Sequence, residues 1–299
     1  MSMTQGGEEA YLIVNADDYG CFACVSRGIL RAAARGIVTA TGVFANAPHF
    51  DERAAVLGSC DTLDVGVHLN LTEGFPLTSE LRSTLARSSG RFPGKFAMAV
   101  SILRGGVKVA DVKREWAAQI ERCLANGLQV RFLNSHEHIH MLPALFRVTG
   151  ELAREYRISH VRFPTARLDA SPSGGSLFRG AVIGALGALN RRHAGGARTQ
   201  FLGLEASGRL DLDYLARTLP RLRRGQIYEL MCHPGEFDAQ EVTDARLRRY
   251  HDWEGELRTL TSPDARALLN RHRVRPIGYR HLEIRAARLA VRPEALVTA

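Results

Sequence analysis

The stretch Leu12-Ile13-Val14-Asn15-Ala16-Asp17-Asp18-Tyr19-Gly20 is a short apolar run that ends in two adjacent carboxylates and a glycine. Tyr11 to Val14 is apolar and partly β-branched, which suits a strand covered on both faces, as in parallel α/β sheets. Gly20 lets the backbone turn sharply, and ligands of parallel α/β folds gather at the carboxyl ends of strands. Adjacent side chains on an extended chain point to opposite faces, so Asp17 and Asp18 are expected on different sides of the strand, one of them needing a partner. Taken alone, the pair reads equally well as a cap for the next helix.

Downstream the chain alternates. Val25 to Arg35 has helical spacing with Gly36 placed to stop it, Ile37 to Ala45 reads as a strand, Asp51 to Leu57 as a short helix and Leu63 to Leu71 as a third strand. Thr72 to Phe96 is long for an ordinary connection and is a candidate lid. Val109 to Ala125 is the clearest amphipathic helix, with Val112, Trp116, Ile120 and Leu124 at four-residue steps. Gln129 to Leu133, His160 to Phe163, Phe201 to Leu204, Ile227 to Cys232 and Val274 to Tyr279 supply further strands. Helices are expected at Leu145 to Tyr156, Phe178 to Asn190, Leu212 to Leu222, Asp244 to Leu260 and Pro263 to Asn270, with a turn-rich segment at Ala170 to Gly175. Seven or eight strands alternating with helices argue an α/β parallel sheet or barrel. Residues 1–10 read as a loose end, 11–282 as one domain, and 283–299 as a C-terminal helix or tail.

Length and composition agree with a large α/β core: 299 residues, 45% of them hydrophobic. The net charge of +9 comes from arginine, since Lys95, Lys108 and Lys113 are the only lysines. The basic residues lie among acids in helical patterns without interleaved aromatics, which argues against nucleic-acid binding. The basic C-terminal region, Arg271 to Arg292, is compatible with a homodimer face, an anionic glycolipid surface or plain solubility. Five cysteines, no cleavable leader and no apolar run of membrane-spanning length make a reduced cytoplasmic protein, not an integral membrane protein, the expectation. Cys21-x-x-Cys24 lacks the second pair that would complete a zinc site and is read as coincidence.

Four strand ends carry chemistry: Asp17-Asp18; Gly66-Val67-His68-Leu69-Asn70-Leu71-Thr72; Asn134-Ser135-His136-Glu137-His138-Ile139-His140; and Met231-Cys232-His233-Pro234-Gly235-Glu236. On an extended segment His136, His138 and His140 would share a face, so up to three imidazoles could line one cavity wall. A divalent metal would organise them. Two imidazoles and a carboxylate make a facial set with open positions, which is catalytic rather than structural. A second carboxylate held off the metal is where a general base would sit, and a further histidine across the site could protonate a leaving group. The chemistry so assembled is amide or ester hydrolysis.

Together Asn15-Ala16-Asp17-Asp18-Tyr19-Gly20, the Gly66 to Thr72 run, Ser135 to Met141 and Cys232-His233-Pro234 resemble, in order and spacing, the YdjC-like carbohydrate deacetylases, a group that includes chitooligosaccharide deacetylase and the hopanoid-associated deacetylases. The resemblance implies a deformed (β/α) barrel with seven or eight mostly parallel strands, related to the polysaccharide deacetylases. It implies one divalent metal ion and removal of N-acetyl groups from an amino sugar, oligosaccharide or glycolipid. Asp18, His68 and His136 match the family's metal ligands, Asp17 its general base, and His233 lies where the acid is expected. His138 and His140 match histidines in substrate-binding or supporting roles. The resemblance points to magnesium, whereas two imidazoles favour zinc, cobalt, nickel or iron. Tyr19 stands where many relatives have Phe, and Glu137 where a histidine or lysine is common. Residues 163–198 carry no sugar-binding signature and are the expected seat of specificity. Two competing classes are a metal-dependent hydrolase of a phosphoester or glycolipid headgroup on the same barrel, whose arginines would bind an anion, and a non-catalytic metal or sugar binder. A binder has no need of the second acid.

Overall fold

The apolar run that begins at Ala10 does form the central strand of the molecule, and every other strand is placed by its distance from it. The computed structural model describes residues 9–165, 174–194 and 199–282. Of the expected loose N-terminal end, residues 1–8 lie outside them while Ala10 is a buried part of the first strand; of the turn expected at 170–175, residues 170–173 lie outside them while Gly174 and Gly175 open a helix; the C-terminal helix or tail at 283–299 lies outside them. In chain order the elements are β1 (Ala10–Tyr19), α1 (Ala23–Arg35), β2 (Ala40–Val43), α2 (Phe50–Gly58), β3 (Asp64–Leu69), α3 (Ser79–Thr84), α4 (Lys95–Leu103) and α5 (Val109–Ala125). They continue as β4 (Val130–Ser135), α6 (Pro143–Glu155), β5 (His160–Val161), α7 (Gly174–Asn190), β6 (Gln200–Leu202) and α8 (Leu212–Thr218). The last are β7 (Ile227–Cys232), α9 (Ala245–Tyr250), α10 (Trp253–Thr261), α11 (Pro263–Arg271) and β8 (Val274–Pro276).

The eight strands form one sheet in the order β5-β4-β3-β2-β1-β7-β6, with β8 pairing the first residues of β1. Every pairing is parallel. It is a half-barrel, with β5 and β6 as the two edges among the described residues. Alternation along β1 sorts its side chains. Leu12, Val14 and Ala16 face the helices, in one cluster with Val25, Ile29 and Ala32 of α1. Ile13 belongs to a smaller cluster on the concave face, with Phe132, Ile227 and Tyr279, where Phe132 and Tyr279 stack at 4.0 Å. That cluster is the floor beneath the polar residues that follow it on the same strands.

Three local expectations change. In α5 the buried face is Val112, Trp116, Ile120 and Cys123, while Leu124 is exposed, because successive four-residue steps drift off a stripe of period 3.6. The helix expected over Asp244 to Leu260 is broken at His251-Asp252, where the Asp252 side chain accepts from the Gly255 backbone N–H and starts α10 afresh. The connection expected to be a lid over Thr72 to Phe96 contains α3 and leads straight into α4, whose apolar sequence opens after Gly94.

Candidate active site

The end of β1 is irregular. Ala16 pairs Thr41 but Tyr19 pairs Val43, so two residues of β1 bulge against one of β2. Within that bulge Asp18 takes a left-handed backbone, φ 72°, a conformation Asp tolerates better than most residues. Strict alternation is thereby lost, and the expectation that the two acids face opposite sides is corrected: both carboxylates meet the same imidazole. His68 Nε2 lies 3.2 Å from Asp18 Oδ1, and His68 Nδ1 lies 3.9 Å from Asp17 Oδ1. Neither acid caps α1, whose N-cap is Phe22 without a side-chain bond.

Asp18 Oδ1 also stands 3.0 Å from His136 Nδ1. The ligand atoms of Asp18, His68 and His136 all lie within 4.8 Å of one another, the one such group of donors among the described residues. Phe44 packs against both rings, at 5.2 Å from His68 and 4.9 Å from His136. Burial works to raise the Asp18 carboxyl, but the charge and hydrogen bond of His136, with His68 close by, outweigh it and hold Asp18 well below its ordinary value. His136 moves up: burial opposes its charged form, and Asp18 overcomes that opposition.

The expected row of three imidazoles does not form. His136 to Met141 is a tight 3-10 turn in which Glu137 and His138 are left-handed, with φ of 53° and 55°. Only His136 enters the cluster. His140 is buried behind it, bonded to the Ser135 hydroxyl and, through Nε2, 3.0 Å from the Arg162 carbonyl oxygen. Burial brings its imidazole down to about 4, so it stays neutral and can donate to that carbonyl. His138 packs edge-on against Phe201 at 5.7 Å, and burial holds it well below its usual range.

Asp17 is pinned from three directions. Its Oδ1 accepts from Asn15 Nδ2 at 2.7 Å, from Asn134 Nδ2 at 2.9 Å and from Arg162 Nη2 at 2.9 Å, and its Oδ2 accepts from Arg162 Nη1 at 2.6 Å. Arg162 also donates through Nε to Glu229, and its side chain is fully buried. Burial would raise Glu229, but Arg162 and His160 reverse this and bring it down to about 2. Asn15, Asn134, Arg162 and Glu229 were not among the residues expected to build the site. Period-two alternation could have marked Asn15, two residues before Asp17; nothing local marks Arg162.

Asn134 fixes the protonation of His68. Since its Nδ2 donates to Asp17, its Oδ1 is left facing His68 Nδ1 at 2.8 Å, and that nitrogen must carry the hydrogen. His68 Nε2 then presents a lone pair to Asp18 Oδ1. Two acceptors at 3.2 Å are matched by a cation between them. The donor set therefore fits a divalent ion, and Gly42 makes room for the Asn134–His68 pair behind it: a Cβ there would stand 3.0 Å from Asn134 Oδ1 and 3.1 Å from His68 Nδ1.

His233 follows β7 on a loop held by backbone bonds. Its N–H donates to Glu256, the Gly235 N–H to the Trp253 carbonyl at 3.1 Å, and the Glu236 N–H to the Cys24 carbonyl at 3.1 Å. Burial lowers His233, against the opposing charges of Asp18 and Asp17. Its Nδ1 is buried and has no hydrogen-bond partner among the described residues. His251 lies 5.1 Å from the His233 ring and stacks on Trp253 at 4.8 Å, with its own imidazole brought down to about 3 by burial. Glu256 is pushed up to about 8 by burial, although two backbone N–H groups oppose the shift.

Known proteins are related in sequence over nearly the whole chain. A carbohydrate deacetylase of Geobacillus stearothermophilus is 31% identical over 270 residues, covering 90% of this chain and 97% of the relative. One from Clostridium beijerinckii is 26% identical over 271 residues, covering 91% and 99%. A crystal structure from Enterococcus faecalis V583, named for cellobiose-phosphate cleavage, superposes with a TM-score of 0.70 at 24% identity over 92% of this chain and 99% of its own, which shows a shared fold. The sequence profile of the YdjC-like proteins matches residues 11–271, and this chain belongs to that family.

Proposed function

We propose that the chain is a carbohydrate N-deacetylase that hydrolyses the acetamide of an amino sugar, in an oligosaccharide or a glycolipid, using one divalent ion held by Asp18, His68 and His136. The observation that carries this reading is the division of labour between two adjacent acids. Asp18 is turned onto two imidazoles, and Asp17 is clamped by Arg162 and two asparagines on the far side of the His68 ring. A binding site has no use for the second, clamped acid; a hydrolase does.

When bound, the ion supplies Lewis acidity toward the amide carbonyl. Two imidazole nitrogens favour zinc, cobalt, nickel or iron over magnesium. Asp17 is the base. Its Oδ1 is saturated by three donors, whereas among the described residues Oδ2 meets only Arg162 Nη1 and keeps a lone pair to take a proton from the attacking water. The new C–O bond forms at the acetyl carbon, the C–N bond breaks, and His233 delivers a proton to the departing nitrogen. Its burial makes a protonated His233 a strong acid, which suits that delivery. Acetate and a free amine leave. His138 and His140 support the loop behind the site. No described helix is long and apolar enough to cross a membrane.

The test is acetate release from N,N′-diacetylchitobiose and from a panel of N-acetylated glycans and glycolipids, on metal-stripped protein with single divalent ions restored. Ion-dependent release from any member is expected. No release from the whole panel, with an ion still bound at Asp18, His68 and His136, would direct the site to another bond.

A further inference from the structure

Two helices that start at the rim of the site present apolar faces to solvent. In α4 the stripe Phe96, Val100 and Leu103 is exposed, Phe96 by 73% and Leu103 by 74%, while Met98 and Ile102 on the opposite side are buried in the core. In α7 Phe178 is 67% exposed and Leu189 64%, and Leu177 and Val182 between and beside them are exposed as well. From Gly180 to Leu189 this helix has no polar residue. Scattered exposed apolar side chains are ordinary, but two helical stripes of them mark a contact surface.

Both helices are tied to the site. Lys95 opens α4 and pairs with Glu137 at 2.9 Å, beside His136. Arg179, near the start of α7, bonds the Tyr250 hydroxyl, next to His251. Along the two stretches themselves the charges are cationic, although Glu137 pairs Lys95 and Glu205 lines the cavity at the α7 end. Residues 81–110 include Arg82, Arg87, Arg91, Lys95, Arg104 and Lys108 and no acid; residues 174–194 include Arg179, Arg191 and Arg192 and no acid. At the α7 end, Arg179, Arg209, Arg246 and Arg249 line a cavity of about 430 Å³.

We infer that α4 and α7 dock the protein on an anionic bilayer surface, with the apolar stripes entering the headgroup boundary and the surrounding cations meeting lipid phosphates. This combination of an apolar face and cationic flanks is what interfacial helices require. A second copy of the chain fits less well: in a two-fold interface the same acid-free stretches would face each other, bringing like charges together around the apolar contact. The inference stands on the surface alone and does not depend on the bond the site cleaves.

The experiment is co-sedimentation of the full chain with phosphatidylcholine vesicles, with and without phosphatidylglycerol, together with light scattering of the protein alone. Binding to the anionic vesicles only, weakened by salt, is expected. The paired variants Phe96→Ser with Leu103→Ser, and Phe178→Ser with Leu189→Ser, should each lower it about tenfold or more while leaving the thermal midpoint unchanged, and the Phe96→Ser with Leu103→Ser pair should also leave turnover of a soluble substrate unchanged. Charge reversal by Arg104→Glu with Lys108→Glu should lower it too. Wild-type protein that ignores anionic vesicles would overturn the inference, as would serine variants that bind as well as wild type. A dimer in solution that the serine variants convert to monomer would assign the faces to a second copy and overturn it equally.

Discussion

Asp17 and Asp18 are neighbours in the chain with different jobs because one residue leaves the β region. The left-handed backbone of Asp18 rotates its carboxylate onto His68 and His136, and Asp17 keeps the strand geometry that places it beside Asn15, Asn134 and Arg162. Asn134 is the hinge of this arrangement, since it reads Asp17 with its amide nitrogen and His68 with its amide oxygen. Asn134→Ala frees the His68 tautomer, so ion affinity should fall about 10–100-fold with the fold intact, as read by isothermal titration with zinc. Asp18, His68 and His136, which the fold brings together, were legible because they sit in polar clusters at the ends of apolar runs. Arg162 was not, because it is one arginine among many and its partners are far away in sequence. The alternation rule failed at Asp18 because it presumes a regular strand; Asp followed closely by Gly20 was the available hint of a bulge.

At the level of elements, strand boundaries were easier to read than the loops that finish the site. Ile227 to Cys232 and Val109 to Ala125 were read to the residue, since a mostly apolar run and a 3.6-residue period are strong signals. The break at His251-Asp252 was not read, because the basic and acidic residues of Asp244 to Leu260 keep helical spacing across it; yet that break is what brings His251 against His233. Helix α1 sets the position of the His233 loop through a missing side chain. A Cβ on Gly28 would stand 2.4 Å from the backbone of Gly235. Gly28→Ala must therefore push the loop away from α1, and a loss of about 1–3 kcal/mol in denaturant unfolding is expected, with a fall in kcat larger than any change in KM. Unchanged kcat would mean that the loop adjusts without moving His233.

Over the whole molecule the concave face is layered. An apolar floor of Ile13, Phe132, Ile227 and Tyr279 supports the buried Glu229–Arg162–Asp17 chain, and above it lie Asp18 and His136. The order follows from period-two alternation on parallel strands, which lifts Ile13, Asn15 and Asp17 step by step from floor to mouth. The charged layer makes stability depend on acid. Glu229 sits at about 2 in the folded protein and near 4.5 when unfolded, so its contribution is complete above pH 4.5 and is lost as the pH falls toward 2. That contribution is on the order of 3 kcal/mol, and Glu229→Gln should flatten the acid limb of a stability-against-pH curve over this window. An acid limb as steep in the variant as in wild type would show that other groups govern it.

The central claim is that the two acids are divided between ion and base, and the most direct measurement is zinc titration of Asp17→Asn and Asp18→Asn side by side, with acetate release recorded on the same samples. Asp17→Asn should bind the ion as wild type does and lose turnover by about 100-fold or more, while Asp18→Asn should lose the ion and the activity together. Loss of ion binding in Asp17→Asn would contradict the division and move Asp17 into the ligand set.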